Sequence, residues 1–222
     1  MDIALFTSAG MDYLFRYVHF LAGITWIGLL YYFNFVQTEY FKEAEASHKS
    51  GAIQKLVPRA LWWFRWGAML TFITGVLMLT YRGGDVSADI SIGALLGTLM
   101  FMNVWMIIWP KQKIVIASAV QVAEGGEADP DAAGALAKAG LASRTNTLFS
   151  MPMLFFMGSS MHMSSGLLTS ASTVALALIV LIIAVLAGNG MMGKQGPMTS
   201  VKGVIGCGLG LTVVLYGILA LL

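Results

Sequence analysis

The sequence predicts an all-α, polytopic integral membrane protein, a bundle of about six transmembrane helices. Of its 222 residues, 58% are hydrophobic and only 11% are charged, with a mean hydropathy of +0.78. A typical soluble domain carries about 25% charged residues. Apolar stretches of spanning length recur along the chain, and they must be helical because lipid offers the backbone no hydrogen bonds. We therefore expect one transmembrane domain over residues 1–222, in contact with membrane lipid and without a nucleic-acid partner.

Six stretches come close to the length of about 20 apolar residues that a helix needs to cross a bilayer. The long connection between the third and the fourth contains a polar turn from Glu124 to Asp131, flanked by alanine-rich sequence that is typical of helical extensions. The predicted spans are roughly Tyr13–Val36, Leu61–Tyr81, Ile90–Trp109, Asn146–Gly166, Thr169–Ala187 and Gly203–Leu222.

Lysine and arginine are distributed unequally between the two ends of these spans. Ten of the 13 lie in three connections, at about residues 37–60, 110–145 and 188–202. Only Arg16 and Arg82 lie towards the opposite side. Because positively charged connections stay in the cytoplasm, these three are predicted to be cytoplasmic loops. Both termini are therefore predicted to face outward.

A single cysteine, Cys207, limits the cofactors that the chain can hold. It excludes an intramolecular disulfide and the CxxCH motif that attaches c-type haem. It also excludes a zinc site or iron–sulfur cluster ligated by cysteines of one chain. A bound cofactor would have to be held by histidine, methionine or carboxylate.

Two histidines lie within predicted spans, and an ionisable residue in such a position is a candidate functional residue. His19 lies six residues beyond Tyr13, which is roughly 9 Å below the outer boundary at the helical rise per residue. His162 lies four residues before Gly166, roughly 6 Å below the same boundary. We therefore predict that both imidazoles lie in the outer third of the bilayer.

Each of these histidines stands one helical turn above a glycine, because residues four apart share a face of a helix. A flat macrocycle needs such space, and two histidines are suitable axial ligands for b-type haem. Two arginines on the outer side are candidates for the haem propionates. The predicted haem b site comprises the iron ligands His19 and His162, the packing residues Gly23 and Gly158, and the propionate-binding residues Arg16 and Arg82.

Alternatives to this site remain open. A histidine near a helix end is often only hydrogen-bonded at the interface, and glycine also allows helices to pack closely. Met161 and Met163 are less favoured candidates for an axial ligand. His48 lies in a charged connection and is expected to be solvated.

The inner ends of the second, third and fourth spans are rich in polar and aromatic residues, and buried polar groups need partners. A planar, anionic ligand would suit arginine, asparagine and tryptophan together, through bidentate hydrogen bonds, amide contacts and stacking. A purely structural network is the alternative. The candidate substrate-binding residues are Arg65, Asn103, Trp105, Arg144 and Asn146.

Several long segments of this chain resemble the membrane domain of the PuuD-type, cytochrome-linked urate oxidases (urate hydroxylases). The resemblance covers roughly Tyr13 to His162, whereas the last two spans match only in character. It is carried by HFLAGITWIGLLYYFNFVQ at 19–37, VPRALWWFRW at 57–66, NVW at 103–105 with WPKQK at 109–113, ASRTNTL at 142–148 and MPMLFFM at 151–157.

The resemblance implies an enzyme of the bacterial inner membrane that oxidises urate and passes electrons to a c-type cytochrome. Members of the family commonly carry that cytochrome as a C-terminal domain. Because this sequence ends at Leu222 without a CxxCH motif, we expect a separate periplasmic electron acceptor. Urate would bind at the inner end, or beside the haem near Arg16 and Arg82. The alternatives are a non-catalytic haem b subunit of a larger respiratory complex, and a transporter or structural subunit without a cofactor.

Overall fold

The computed structural model describes residues 4–222, and within them the chain is helical, with short turns and one isolated β-bridge between Ser87 and Leu167. The first three residues of the predicted domain lie outside this description. The α-helices are α1 (Ser8–Tyr31), α2 (Thr38–Glu43), α3 (Ala46–Lys55), α4 (Val57–Arg82), α5 (Ala88–Met102), α6 (Trp109–Ala123), α7 (Ala132–His162), α8 (Thr173–Met192) and α9 (Val201–Leu221).

Two of these helices continue through a π-helical segment into the next helix. Tyr32–Gln37 joins α1 to α2, and Asn103–Ile108 joins α5 to α6. The connections predicted as cytoplasmic loops are therefore largely helical. The flanks of the polar turn are helical as predicted, since α6 ends at Ala123 and α7 begins at Ala132.

Five helical stretches within residues 4–222 are long and apolar enough to cross a membrane. This confirms a helical protein with the character of a membrane bundle. The predicted first, second and third spans fall within them. The predicted fifth span begins four residues before its stretch, and the predicted sixth span ends one residue after its stretch. The five stretches are Ser8–Glu43, Val57–Arg82, Ala88–Ala123, Thr173–Met192 and Val201–Leu221.

The predicted fourth span overlaps α7, a helix of 31 residues that is not among these five, but extends four residues beyond its end. Its inner half carries Arg144, Asn146 and Ser150, which are buried. Helices α1, α5, α6, α8 and α9 all contact α7, so these polar side chains face protein. The central position of α7 explains its lower hydropathy. The helix ends at His162, and Gly166, with φ of 100°, lies in the turn that follows.

The bundle is built from two closely packed helix pairs, α1 with α4 and α5 with α7. In α4, a Cβ atom on Gly67 would lie 3.2 Å from the Ala22 carbonyl oxygen, and in α5 one on Gly93 would lie 3.0 Å from Met157 Cγ. Glycine therefore permits the close approach within each pair. Helices α8 and α9 pack against α7, and a cavity remains between the two pairs.

The connections before α5 and after α7 are bonded to each other. The Leu168 amide donates to the Val86 carbonyl at 2.9 Å, and the Ala88 amide donates to the Gly166 carbonyl at 3.1 Å. These contacts place the α4–α5 and α7–α8 connections at the same end of the bundle. That end is where the sequence predicts both histidines.

Candidate functional site

The cavity between the two helix pairs has a volume of about 550 Å³ and a mostly apolar lining. Helices α1, α4, α5 and α7 all contribute to its wall. Cavities of about 300–1,000 Å³ are typical of ligand and cofactor sites. The lining includes every residue predicted for the haem site, namely Arg16, His19, Gly23, Arg82, Gly158 and His162.

His19 reaches the cavity from α1 and is held against α4. Its Nδ1 lies 3.1 Å from Thr74 Oγ1, and the Thr74 hydroxyl also lies 2.7 Å from the Leu70 carbonyl oxygen, to which it donates. A hydroxyl has one proton, so Nδ1 donates to Thr74 and Nε2 retains a free lone pair. This is the tautomer that ligates a metal through Nε2, with the other nitrogen fixed by a neighbour.

Gly75 makes room for the His19 ring. A Cβ atom on Gly75 would lie 3.2 Å from His19 Cε1, closer than a comfortable van der Waals contact. Thr74 and Gly75 were missed by the sequence reasoning, because their role depends on the packing of α4 against α1. A glycine next to a threonine in an apolar helix gives no separate signal.

His162 is the last residue of α7, is solvent-accessible and lines the same cavity. It belongs to the α5–α7 pair, whereas His19 belongs to the α1–α4 pair. The two imidazoles thus border one cavity from two different pairs of helices. The predicted depth of His162 assumes that the helix continues for four more residues, to Gly166. Because α7 ends at His162, that assumption is wrong.

Asp89, in the first turn of α5, fixes the segment around His162. Its carboxylate is completely buried and accepts hydrogen bonds from Ser159 Oγ and from the Ser165 amide, both at 2.7 Å. Ser159 precedes His162 by one helical turn, and Ser165 follows it by three residues. One carboxylate therefore holds the chain on both sides of this histidine.

Gly23 and Gly158, two of the glycines that line the cavity, differ from the glycines at the helix contacts. A Cβ atom on Gly23 or Gly158 would meet nothing within 4 Å. These positions are open, so the missing side chains add space to the cavity. This is the arrangement expected if each histidine stands beside the face of a flat group.

The two outer arginines differ in their partners. Arg16 forms an ion pair with Asp12 at 2.9 Å. The Arg82 guanidinium lies 3.1 Å from Met161 Sδ, which is only a weak acceptor. Neither of the two ion pairs found in residues 4–222 involves Arg82. Arg82 is therefore the more available cation for an anionic group in the cavity.

The inner region is organised around α7 by the two π-helical segments. From the first segment, Asn34 Nδ2 donates to Ser143 Oγ at 2.8 Å. From the second, Asn103 Nδ2 donates to Asn146 Oδ1 at 2.8 Å, and Asn146 Nδ2 donates to the Met100 carbonyl at 2.9 Å. The predicted pair Asn103 and Asn146 is thus brought together, and the two residues bind each other. π-Helical segments occur frequently at functional sites.

The other three predicted inner residues carry buried donors without a partner, which are Arg65 NH1, Trp105 Nε1 and Arg144 NH1. The Arg65 guanidinium lies over the Trp109 ring, 3.7 Å from its centroid. Arg144, which precedes the predicted span, is only 4% exposed. Burial lowers the pKa of its guanidinium, and the charge of Glu39 opposes that shift.

The outer cavity and the inner region approach each other closely. Gly28, Gly97 and Met153 line the cavity. Tyr31 lies three residues from Gly28 towards the inner end, and Ser150 lies three residues from Met153 in the same direction. The hydroxyl groups of Tyr31 and Ser150 are hydrogen-bonded at 2.9 Å. Three helical residues correspond to a rise of about 4.5 Å, so roughly one helical turn separates the cavity from the first members of the inner network.

A comparison with protein families matches residues 84–205 to the model described as urate oxidase N-terminal. The match covers more than half of the chain. It includes α5 to α8 with Asn103, Trp105, Arg144, Asn146 and His162, whereas His19 and Arg65 lie before it. Comparisons with curated proteins and with solved structures find no match.

Proposed function

Because the chain belongs to the urate oxidase N-terminal family, we propose that it is a membrane-bound oxidoreductase that oxidises urate and passes the electrons to a periplasmic c-type cytochrome. The observation that carries the redox part of this proposal is the cavity lined by His19 and His162. The family membership is the reason for proposing urate as the substrate, and the cavity is the reason for proposing a bound electron carrier.

We propose haem b as the cofactor of this cavity. His19 and His162 would be the iron ligands, Gly23 and Gly158 would leave room for the macrocycle, and Arg82, with Arg16, would bind the propionates. Bound there, haem b would supply one-electron redox chemistry. The Thr74 contact supports this role, because it orients His19 and leaves Nε2 free. Asp89 would keep His162 in position within the α5–α7 pair.

The inner region is the proposed substrate site. Arg65, Trp105 and Arg144 would bind the anionic heterocycle through donors that have no partner within residues 4–222, and Asn103 with Asn146 would hold α5 to α7 at that level. Urate and water would give a hydroxylated product, two protons and two electrons. Two oxidised c-type cytochromes would each accept one electron, so the reaction would not consume O2.

The proposed topology has six spans with both termini outward, in the bacterial inner membrane. The excess of lysine and arginine in the three inner connections supports this orientation. The bonds between the α4–α5 and α7–α8 connections support an arrangement in which α7 crosses the membrane beside the five apolar stretches. The c-type cytochrome would then meet the protein near the outer cavity.

The direct test is anaerobic mixing of purified, detergent-solubilised protein with urate. We expect urate-dependent reduction of the haem Soret band, followed by net reduction of added oxidised cytochrome c. Haem-loaded protein whose spectrum does not respond to urate, at any tested ratio, would contradict the proposed activity.

A non-catalytic haem b subunit of a respiratory complex is the second candidate. It is favoured by the mutual hydrogen bonding of Asn103 and Asn146, which is what a structural network requires. Purification in a stable multisubunit complex, with haem present and no urate oxidation, would support this candidate over the first.

A further inference from the structure

Gln37, the last residue of the first π-helical segment, has a buried side-chain oxygen without a partner. Such atoms are rare in folded proteins, and each needs an explanation. Within residues 4–222, four of the five buried side-chain atoms without a partner lie in the inner region, whereas Trp26 Nε1 belongs to a residue that lines the outer cavity. The inner four are Gln37 Oε1, Arg65 NH1, Trp105 Nε1 and Arg144 NH1.

Contacts around the first π-helical segment connect it to two of the elements that carry these atoms. The Asn34–Ser143 hydrogen bond of 2.8 Å holds the segment against α7, directly beside Arg144. The Phe33 ring packs edge-on against Phe64 of α4, with centroids 5.5 Å apart, directly before Arg65. Gln37 therefore extends from a segment that is fixed to the neighbours of both arginines.

The second π-helical segment is fixed at the same level of the bundle. Trp105 packs edge-on against Trp66 of α4, with centroids 5.5 Å apart. Asn103 binds Asn146 of α7 at 2.8 Å. These contacts tie four chain segments together at the inner end, namely the two π-helical segments, the start of α4 and the middle of α7, and each segment carries one of the unpartnered atoms.

Within residues 4–222, neither arginine of this region forms an ion pair. Arg144 is 4% exposed, and the two ion pairs found in residues 4–222 are Arg16 with Asp12 and Lys42 with Glu39. Glu39, whose charge acts on Arg144, already binds Lys42 at 2.7 Å. A buried charge without a partner is costly, so an anion is the complement that the region lacks.

The free atoms also define the hydrogen-bonding character of that anion. Three are donors, which call for carbonyl or ring-nitrogen acceptors on the ligand. The Gln37 amide can accept a hydrogen bond through its oxygen, which would pair with an N–H group on the same ligand. An ionised carboxylate, which only accepts hydrogen bonds, would satisfy the arginines and leave Gln37 unpaired.

We propose that Gln37 is a specificity-determining residue of the inner site, whose side-chain oxygen accepts a hydrogen bond from a ring N–H of the substrate. The site takes a flat monoanion that carries both carbonyl groups and ring N–H groups, and it rejects an analogue in which the recognised nitrogen is methylated. This inference rests on the proposed function for the position of the substrate. To the proposed substrate site it adds the Gln37 side-chain oxygen, which would distinguish an oxidised purine from other anions.

The first test needs no mutation. Binding of urate to the wild-type protein is measured by quenching of tryptophan fluorescence in detergent, without cytochrome c, beside each mono-N-methylurate and inorganic phosphate. We expect one methylated isomer to bind about 5- to 30-fold more weakly than urate, which corresponds to one hydrogen bond. Equal binding of all isomers, equal competition by phosphate, or no binding of urate would overturn the inference.

The second test assigns the discrimination to Gln37. Gln37→Leu should weaken urate binding by about the same factor as methylation of the recognised nitrogen does in the wild type. The variant should then bind urate and that methylated isomer equally well. Gln37→Asn, which keeps an amide and shortens the reach, should weaken urate binding while retaining the native melting temperature. Gln121→Leu, at an exposed position of α6, is the matched control. A Gln37→Leu protein that still discriminates against the same isomer would overturn the assignment.

Failure of this inference is distinguishable from failure of the proposed function. If the binding pattern is found but urate does not reduce the haem, the specificity site stands and the oxidation proposal fails. If urate reduces the haem and the Gln37 variants discriminate like the wild type, the oxidation proposal stands and this inference fails.

Discussion

The outer cavity and the inner region lie along the same helices but differ in whether their buried polar groups have hydrogen-bond partners. Among the cavity-lining residues, His19 and Arg16 have protein partners, Trp26 Nε1 is the one buried side-chain atom without a partner within residues 4–222, and open glycine positions provide volume. In the inner region, four buried polar atoms lack partners. The comparison suggests that the outer region selects a large apolar group by shape, whereas the inner region selects a small polar one by hydrogen bonding.

The largest expected effect is on the outer cavity. His19→Ala or His162→Ala should remove haem from the purified protein, because each deletes one axial ligand. The measurement is the reduced-minus-oxidised spectrum of each variant, with added imidazole to restore the band. His48→Ala, at an exposed position of α3, should retain the wild-type spectrum. Unchanged haem content in both cavity variants would show that the two regions do not differ in the way proposed.

The next largest effect should come from Arg144→Met, which changes the inner region and leaves the outer cavity intact. Loss of a buried charge that binds an anion should slow urate-dependent haem reduction by about 100-fold or more. The Soret band should be unchanged, and the melting temperature should be preserved or raised, because an apolar side chain replaces an unpaired buried charge. Stopped-flow absorbance and a thermal melt measure both. Arg59→Met, at an exposed position early in α4, is the control, and equal rates in the two variants would contradict the role of Arg144.

Gly158→Leu should have the smallest effect of the three. It should reduce the volume of the cavity without removing any proposed ligand. The new side chain would extend into the cavity, so haem content per protein should fall several-fold. The stability of the apoprotein should not fall, because glycine within a helix costs about 0.5–1 kcal/mol relative to alanine. Gly210→Leu on α9 provides a matched control, since a Cβ atom there also meets nothing within 4 Å. Equal haem content in the two variants would show that Gly158 does not make room for a macrocycle.

Much of the outer site could be predicted from the sequence, because helical geometry relates residues along a span by simple arithmetic. The spacing of His19 to Gly23 and of Gly158 to His162 predicts that each histidine shares a helix face with its glycine, and all four residues line one cavity. The partners of the histidines were not predictable in this way. Thr74 and Asp89 act across helix contacts, and no local pattern marks such contacts.

The inner region was predictable by residue type and less so by geometry. Arg65, Trp105 and Arg144 were identified because donors in an apolar context need partners, and the structure leaves a donor of each unpaired. Gln37 was missed because it lies at the inner boundary of a predicted span, where a polar residue is ordinary. The π-helical segments were missed because the sequence periodicity of a single wide turn is too weak to distinguish from an α-helix.

The hydrogen bonds between the α4–α5 and α7–α8 connections have a consequence for how the cavity could open. Because Ser87 and Leu167 are bridged and Asp89 binds both sides of His162, the segment that carries this histidine is tied to the beginning of α5. We therefore expect the α5–α7 pair to move as one unit when the cavity widens, so that opening would not require any single helix to unwind.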